Sequence, residues 1–132
     1  MRRLAFNPRF INEQGNDLIP GKIHTLRRNY EWWKKHEGKE VELFTWEGKP
    51  YRSTQKVFCI KRLERVGRIE LMTLDGQRLL WWHLSRTAIA VADDRKIAIN
   101  DGFKTTDEFY QWFKDYPDGM MAILYFTDFQ YF

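Results

Sequence analysis

The sequence predicts an α+β fold, small and mostly antiparallel, partly closed into a barrel and carrying two or three short helices. Three observations carry that reading. Asp75-Gly76 separates two apolar runs, residues 39–46 alternate charged with apolar or β-forming side chains, and Thr105-Thr106-Asp107-Glu108 precedes aromatics at 109, 112, 113 and 116.

The Asp-Gly pair is the strongest of these, because a type I′ turn needs positive φ at both central residues and Asp-Gly supplies it. Residues 68–84 are therefore expected to form a hairpin. Before it, Lys39 to Trp46 reads as a strand in which Val41, Leu43 and Thr45 alternate against charge, and Glu47-Gly48-Lys49-Pro50 as its turn. Gln55 to Leu63, centred on Val57-Phe58-Cys59-Ile60, reads as a strand buried on both faces for part of its length. Thr105 to Glu108 has capping-box form, with a hydroxyl to accept from the N3 amide and Glu108 to reach back. Phe109, Trp112, Phe113 and Tyr116 then fall on one helical face, and Pro117-Asp118-Gly119 ends the element. That stripe is the pattern of a helix docking onto a core. A shorter helix is expected at about Tyr30 to His36, and Met120 to Phe126 as a final strand.

With 132 residues, 43% of them apolar, the chain suits one domain spanning residues 1–132, large enough to bury a core without disulfides or a structural metal. The lone Cys59 cannot form an internal disulfide, and none of His24, His36 and His83 has zinc-ligand spacing. No metal and no cofactor are expected, and the thiol usage points to a reducing, cytoplasmic setting. No apolar run follows Arg2-Arg3 as a secretory signal requires, and the longest aliphatic stretch, Ala88 to Ala92, is far short of the roughly twenty residues a bilayer needs. No membrane partner is expected.

The net charge of +4 is unevenly spread: residues 1–66 carry 15 Lys and Arg against 8 Asp and Glu, and residues 67–132 carry 7 against 10. The basic first half points to an anionic partner, RNA being the usual one for such a domain, with solvated surface charge as the plain alternative.

The segment densest in reactive groups is Pro20-Gly21-Lys22-Ile23-His24-Thr25-Leu26-Arg27-Arg28. In a regular strand Lys22, His24 and Leu26 share one face while Ile23, Thr25 and Arg27 share the other. Lys22 and Thr25 then meet only if a turn or bulge near Gly21 re-aims one of them. A Thr hydroxyl needs a neighbouring base near pH 7, which a Lys supplies if desolvation or a cation such as Arg27 lowers its pKa. A carboxylate orients the Lys, and amides beside Gly21 are placed to hold an oxyanion.

Here the chain resembles the ASCH domain family, whose fold is PUA-like. The match lies in Gly21, Lys22, Thr25 and Arg27, and in Asn100-Asp101-Gly102-Phe103 followed by Asp107-Glu108-Phe109. The resemblance implies a six-stranded pseudo-barrel with a cleft beside the Gly-Lys segment. One bacterial branch of the family hydrolyses the acetyl-amide of N-acetylcytidine with a Lys, a Thr and a Glu. By motif position Lys22 and Thr25 are the first two, and the acidic member falls at Asp101, one methylene shorter than Glu, or at Glu108. The material from Trp46 to Leu84 is extra to that compact branch.

For nucleic acid, Arg27, Arg28, Lys34, Lys35 and Arg52 are candidates for phosphates, with Tyr30, Trp32 or Trp33, Tyr51, and Trp81 or Trp82 as stacking surfaces. Most of the 22 aromatics must serve the core. The expected function is binding of RNA or a modified nucleoside or nucleotide in a cleft lined by Lys22, His24, Thr25, Arg27 and Asp101. The alternatives are an amidohydrolase of an acylated nucleoside and a bare protein-interaction module, which Lys22 and Arg27 splayed into solvent would favour.

Overall fold

A computed structural model describes residues 1–132. In chain order the elements are β1 (Arg2–Ala5), a 3-10 turn (Pro8–Phe10), β2 (His24–Arg27), α1 (Tyr30–Lys34), β3 (Glu40–Trp46) and β4 (Gln55–Arg62). They are followed by β5 (Arg65–Leu74), β6 (Gln77–His83), β7 (Ile89–Val91), α2 (Asp94–Asn100), α3 (Thr106–Trp112) and β8 (Gly119–Tyr125). None of the helices is long and apolar enough to cross a membrane.

Asp75 and Gly76 hold φ at 49° and 77°, and β5 and β6 pair in register from Leu74↔Gln77 to Arg68↔His83. Thr105 caps α3 by accepting from the Glu108 amide at 3.1 Å. The Glu108 carboxylate does not reach back to close the box, because it pairs with Arg9. Phe109 and Phe113 are buried as the stripe requires, while Trp112 stays 39% exposed at the edge of the face.

The strands form two sheets, β1-β3-β4 and β2-β8-β5-β6-β7, and only the β1–β3 pairing is parallel. The α+β, mostly antiparallel expectation holds at this level. The sheets are not closed into a barrel: β1 and β2 are both edge strands, and no backbone ladder joins them. Instead Arg27 of β2 donates from Nη2 to the Ala5 carbonyl of β1 at 2.6 Å, so a side chain bridges the two sheets there.

β8 explains why residues 120–126 read as a continuous apolar run. It lies between β2 and β5, and Met121 to Tyr125 are all buried, so both of its faces are covered. By alternation His24 and Leu26 share a face with Tyr125 and Ile123, while Thr25 and Arg27 share the opposite face with Leu124 and Ala122. One continuous core of 25 buried residues draws on both sheets and on α2 and α3.

Three elements lie outside the sequence-based expectation. β1 pairs with residues 41–44, 39 positions away, and nothing local marks it. The aliphatic run at 88–92 supplies the three-residue edge strand β7, and α2 follows it, started by Asp93 accepting from the Lys96 amide at 3.2 Å. The shorter helix stops at Lys34 rather than His36.

Replacing Gly76 by Ala is expected to lower stability by about 1 kcal/mol, the penalty of a Cβ in the left-handed region. Asp75→Asn, which tolerates positive φ, is expected to change little; urea denaturation of the two variants reads the difference.

Candidate functional site

The site is built around an ammonium group that has left water. Pro20 and Gly21 turn the chain ahead of β2, with Gly21 at φ 88°, so Lys22 stands outside the strand alternation and its side chain runs inward. Lys22 is only 6% exposed. Its Nζ donates to the Asp101 carbonyl at 2.6 Å and to the His24 carbonyl at 3.0 Å, and lies 3.5 Å from Asp101 Oδ1. The Phe10 ring sits beneath it, 4.5 Å from Nζ to the centroid. Burial pushes the Lys22 ammonium down to about 8 despite the Asp101 charge that raises it, and Arg27 lowers it further.

Asp101 is delivered by the end of α2. Gly102 takes φ 96°, its amide bonds the Ile99 carbonyl and the Phe103 amide bonds the Ala98 carbonyl, which together make a Schellman stop. Glycine is required twice over here. A Cβ on residue 102 would stand 3.2 Å from Lys22 Cδ and from Phe10 Cδ1. The Asp-Gly-Phe motif thus fixes the carboxylate and leaves room for the lysine stem.

His24 differs from its expected place in the cleft. It is 0% exposed and faces away from the cavity, between Asp101 and the C-terminal segment. Its Nδ1 lies 3.0 Å from Asp101 Oδ1, and a carboxylate only accepts, so Nδ1 carries the proton. Tyr131 then donates its hydroxyl to Nε2 at 2.6 Å and accepts from Asn100 Nδ2 at 3.0 Å. Burial holds the imidazole below its usual pKa, so it is neutral, with its hydrogen-bonding capacity filled. It positions Asp101 from behind. Tyr131 escaped sequence reasoning because its partner is 107 positions away.

On the open side, a cavity of about 100 Å³ is lined by Lys22, Thr25, Arg27 and Asp101, with walls that include Phe6, Phe10, Trp112 and Tyr116. The turn at Gly21 does bring Lys22 and Thr25 to one cavity, although no hydrogen bond joins them. Thr25 Oγ1 accepts from Arg27 Nε at 3.3 Å, which leaves its own proton free to donate. The Arg27 guanidinium lies 4.8 Å over the Phe6 ring, and its Nη1 has no partner in the protein. Neither Lys22 nor Arg27 is splayed into solvent.

Other expected members lie elsewhere. Glu108 holds Arg9 over the Phe10, Phe103 and Trp112 rings, outside the cavity lining, so Asp101 is the carboxylate of the site. Gly21 is exposed with nothing near it, and its neighbours' amides are taken: Lys22 N bonds the Ile19 carbonyl and Ile23 N the Asn100 carbonyl. No oxyanion hole forms there. Arg28 lies 4.6 Å over the Tyr116 ring, at the cavity's wall. Lys34 pairs with Glu37, Lys35 is exposed, and Arg52 and the 90%-exposed Tyr51 belong to the β3–β4 loop away from the cleft. Trp33 is only 8% exposed, which corrects its expected role as a free stacking surface. In the second pair Trp82 is buried and Trp81 half-buried, as strand alternation requires.

No family model, curated protein or solved structure matches the chain.

The displaced lysine predicts a pH dependence. Between pH 8 and 10.5 the folded chain has released the Lys22 proton while the unfolded chain, at the ordinary 10.5, keeps it. The unfolded state binds more protons in that window, so stability rises with pH. Relative to Lys22→Met, wild type is expected to gain about 3 kcal/mol across it, with no such difference in slope below pH 7. Urea unfolding of both proteins across the range reads the difference.

Proposed function

We propose that the cleft binds the base of a nucleoside, free, modified or within RNA, through Lys22, Thr25 and Arg27. The observation that carries this reading is the imbalance of the cavity. The half-buried Arg27 guanidinium and the Thr25 hydroxyl keep donors free beside the buried Lys22 ammonium in an aromatic-walled space, while its one carboxylate is already occupied by Lys22 and His24. A donor-rich, acceptor-poor cleft complements carbonyl oxygens and ring nitrogens. At about 100 Å³ it lies below the roughly 300–1,000 Å³ of sites that enclose whole drug-sized ligands, so it takes the edge of one ring and leaves sugar and phosphate outside. The resemblance of Gly21-Lys22-x-x-Thr25-x-Arg27 to ASCH domains favours the same ligand class.

The amidohydrolase is the second reading, and the Lys22 environment is the observation in its favour. With a pKa of about 8, roughly one Lys22 in ten is the free amine at pH 7. In this reading the amine takes the Thr25 proton as Oγ1 attacks the acyl carbon, and Arg27 Nε steadies the forming alkoxide. Collapse of the tetrahedral adduct breaks the C–N bond and returns the proton to the leaving amine. Water then releases the acyl group from Thr25. The geometry stops one contact short, because Thr25 Oγ1 is bonded to Arg27 and not to Lys22.

Titrating pyrimidine nucleosides, N-acetylcytidine among them, by isothermal calorimetry tests the binding reading. Saturable binding is expected, weakened about tenfold by the nearly isosteric Thr25→Val, the discrimination typical of one lost hydrogen bond in a dry site. Absence of binding by any nucleoside and by short RNA at low salt overturns it. Release of acetate from N-acetylcytidine that Thr25→Val abolishes would establish the enzyme, and no release above buffer removes it.

A further inference from the structure

Beyond the cleft, an open groove of about 950 Å³ lies beside α1, and its position relative to the cleft gives it meaning. It is lined by Asn29, Tyr30, Glu31, Trp32, Arg68 and Met120, with Trp33 at its floor. Arg27 lines the cleft and Asn29 begins the groove, so one residue, Arg28, stands between them. At 3.8 Å between successive α-carbons, the α-carbon of Arg27 on the cleft lies no more than roughly 8–11 Å from those of Asn29 and Tyr30 on the groove. That is the scale of one to two nucleotides in a single strand.

The three parts differ in chemistry in the way a strand requires. The cleft offers donors to a base edge. Arg28 lies over Tyr116 at 4.6 Å with a single long hydrogen bond, 3.4 Å to the Pro117 carbonyl, and has no acidic partner. In the groove the half-buried Arg68 is held over the Tyr30 ring at 5.1 Å, also without an acidic partner or a hydrogen bond, so its guanidinium is backed by an aromatic and lines the open groove. Such a guanidinium plane is a stacking surface for a base. Trp32 is less suited, because Arg2 and His36 cover its faces at 5.1 and 4.4 Å. Glu31 is the one acid in the groove.

We propose that the groove is a second base subsite, in which a base stacks on Arg68 while Arg28 contacts the intervening phosphate, so that the ligand is a single-stranded oligonucleotide rather than a free nucleoside. This rests on the base-binding reading of the cleft and extends it from one nucleotide to at least two. The shared chemistry, base plus phosphodiester, belongs to RNA and single-stranded DNA alike.

The test compares, on the full chain, a pyrimidine nucleoside, the corresponding di- and trinucleotides, and their deoxy counterparts, each at two salt concentrations. The proposal expects at least a tenfold gain from nucleoside to dinucleotide or trinucleotide. Arg68→Gln is expected to abolish most of that gain while leaving nucleoside affinity unchanged. Arg28→Gln should reduce the slope of log affinity against log salt by about 0.7, one phosphate contact on a single strand. Both residues are at the surface of the groove region, and circular dichroism confirms folding of the variants. Nucleoside binding with no gain from added length overturns the second subsite and leaves the cleft reading standing. A gain that Arg68→Gln does not touch also overturns it, because the extra contacts then lie elsewhere. No binding by any ligand removes both readings. A gain confined to the ribose series identifies RNA, and an equal gain in both series identifies a single-stranded binder indifferent to the 2′-hydroxyl.

Discussion

A lysine ammonium is expensive to bury, and the arrangement around Lys22 is the constraint to which the surrounding structure answers. With almost no exposure, Nζ needs a partner for each of its protons, and it finds two carbonyls and a carboxylate within 2.6–3.5 Å. A buried pair of this kind adds little net stability compared with an apolar replacement, whereas removing one partner strands a charge and typically costs about 3–5 kcal/mol. Folding alone therefore gives little reason for the pair to lie in the core of so small a chain. The same logic explains Gly102, whose positive φ ends α2 tightly enough to set Asp101 against the lysine and whose missing Cβ avoids a tight 3.2 Å contact with the lysine stem.

The neighbouring elements are fixed by satisfying that pair. His24 sits on the β2 face opposite Thr25, so the strand presents its imidazole to the back of Asp101 and its hydroxyl to the cavity. The C-terminal segment covers the imidazole through Tyr131, which also packs on Trp82 at 5.2 Å. Arg27 both lines the cavity and ties β2 to the edge of β1 through the Ala5 carbonyl. One side chain thus serves the site and the junction of the two sheets. The cleft lies where the N-terminal segment, the edge of the larger sheet and the α2–α3 pair converge, which is why its residues come from positions 5 to 27 and 101 to 116.

What was legible in the sequence is what local chemistry dictates. The Asp75-Gly76 hairpin, the Thr105 cap and the final strand β8 follow from turn dihedrals, a hydroxyl at the right offset and an unbroken apolar run, whereas the burial on both faces expected at residues 55–63 is not found, because β4 is an edge strand of half-buried and exposed residues. The gathering of Lys22, Thr25, Arg27 and Asp101 is what the resemblance to ASCH domains implied, and strand alternation alone would have parted Lys22 from Thr25. The rest depends on partners distant in sequence. The parallel β1–β3 pairing joins residues 2–5 to 41–44, and the sheets meet through an arginine side chain that no periodicity encodes. His24 looks like a cleft residue until Tyr131 is placed behind it, and Glu108 like a site carboxylate until Arg9 claims it. The charge asymmetry between the halves also changes meaning, since the basic half supplies Lys22 and Arg27 and the acidic half Asp101 to one buried site.

The account turns on Lys22 being a buried ammonium governed by its surroundings, and the most direct measurement is its own titration. Carbon-13 NMR of the lysine ε-methylene groups, with Lys22 assigned by the missing signal in Lys22→Arg, follows the charge on Nζ against pH. The account predicts a Lys22 midpoint near 8. A Lys22 midpoint at the ordinary value near 10.5 would contradict it, because the ammonium would then be solvated and the cleft would not exist as described.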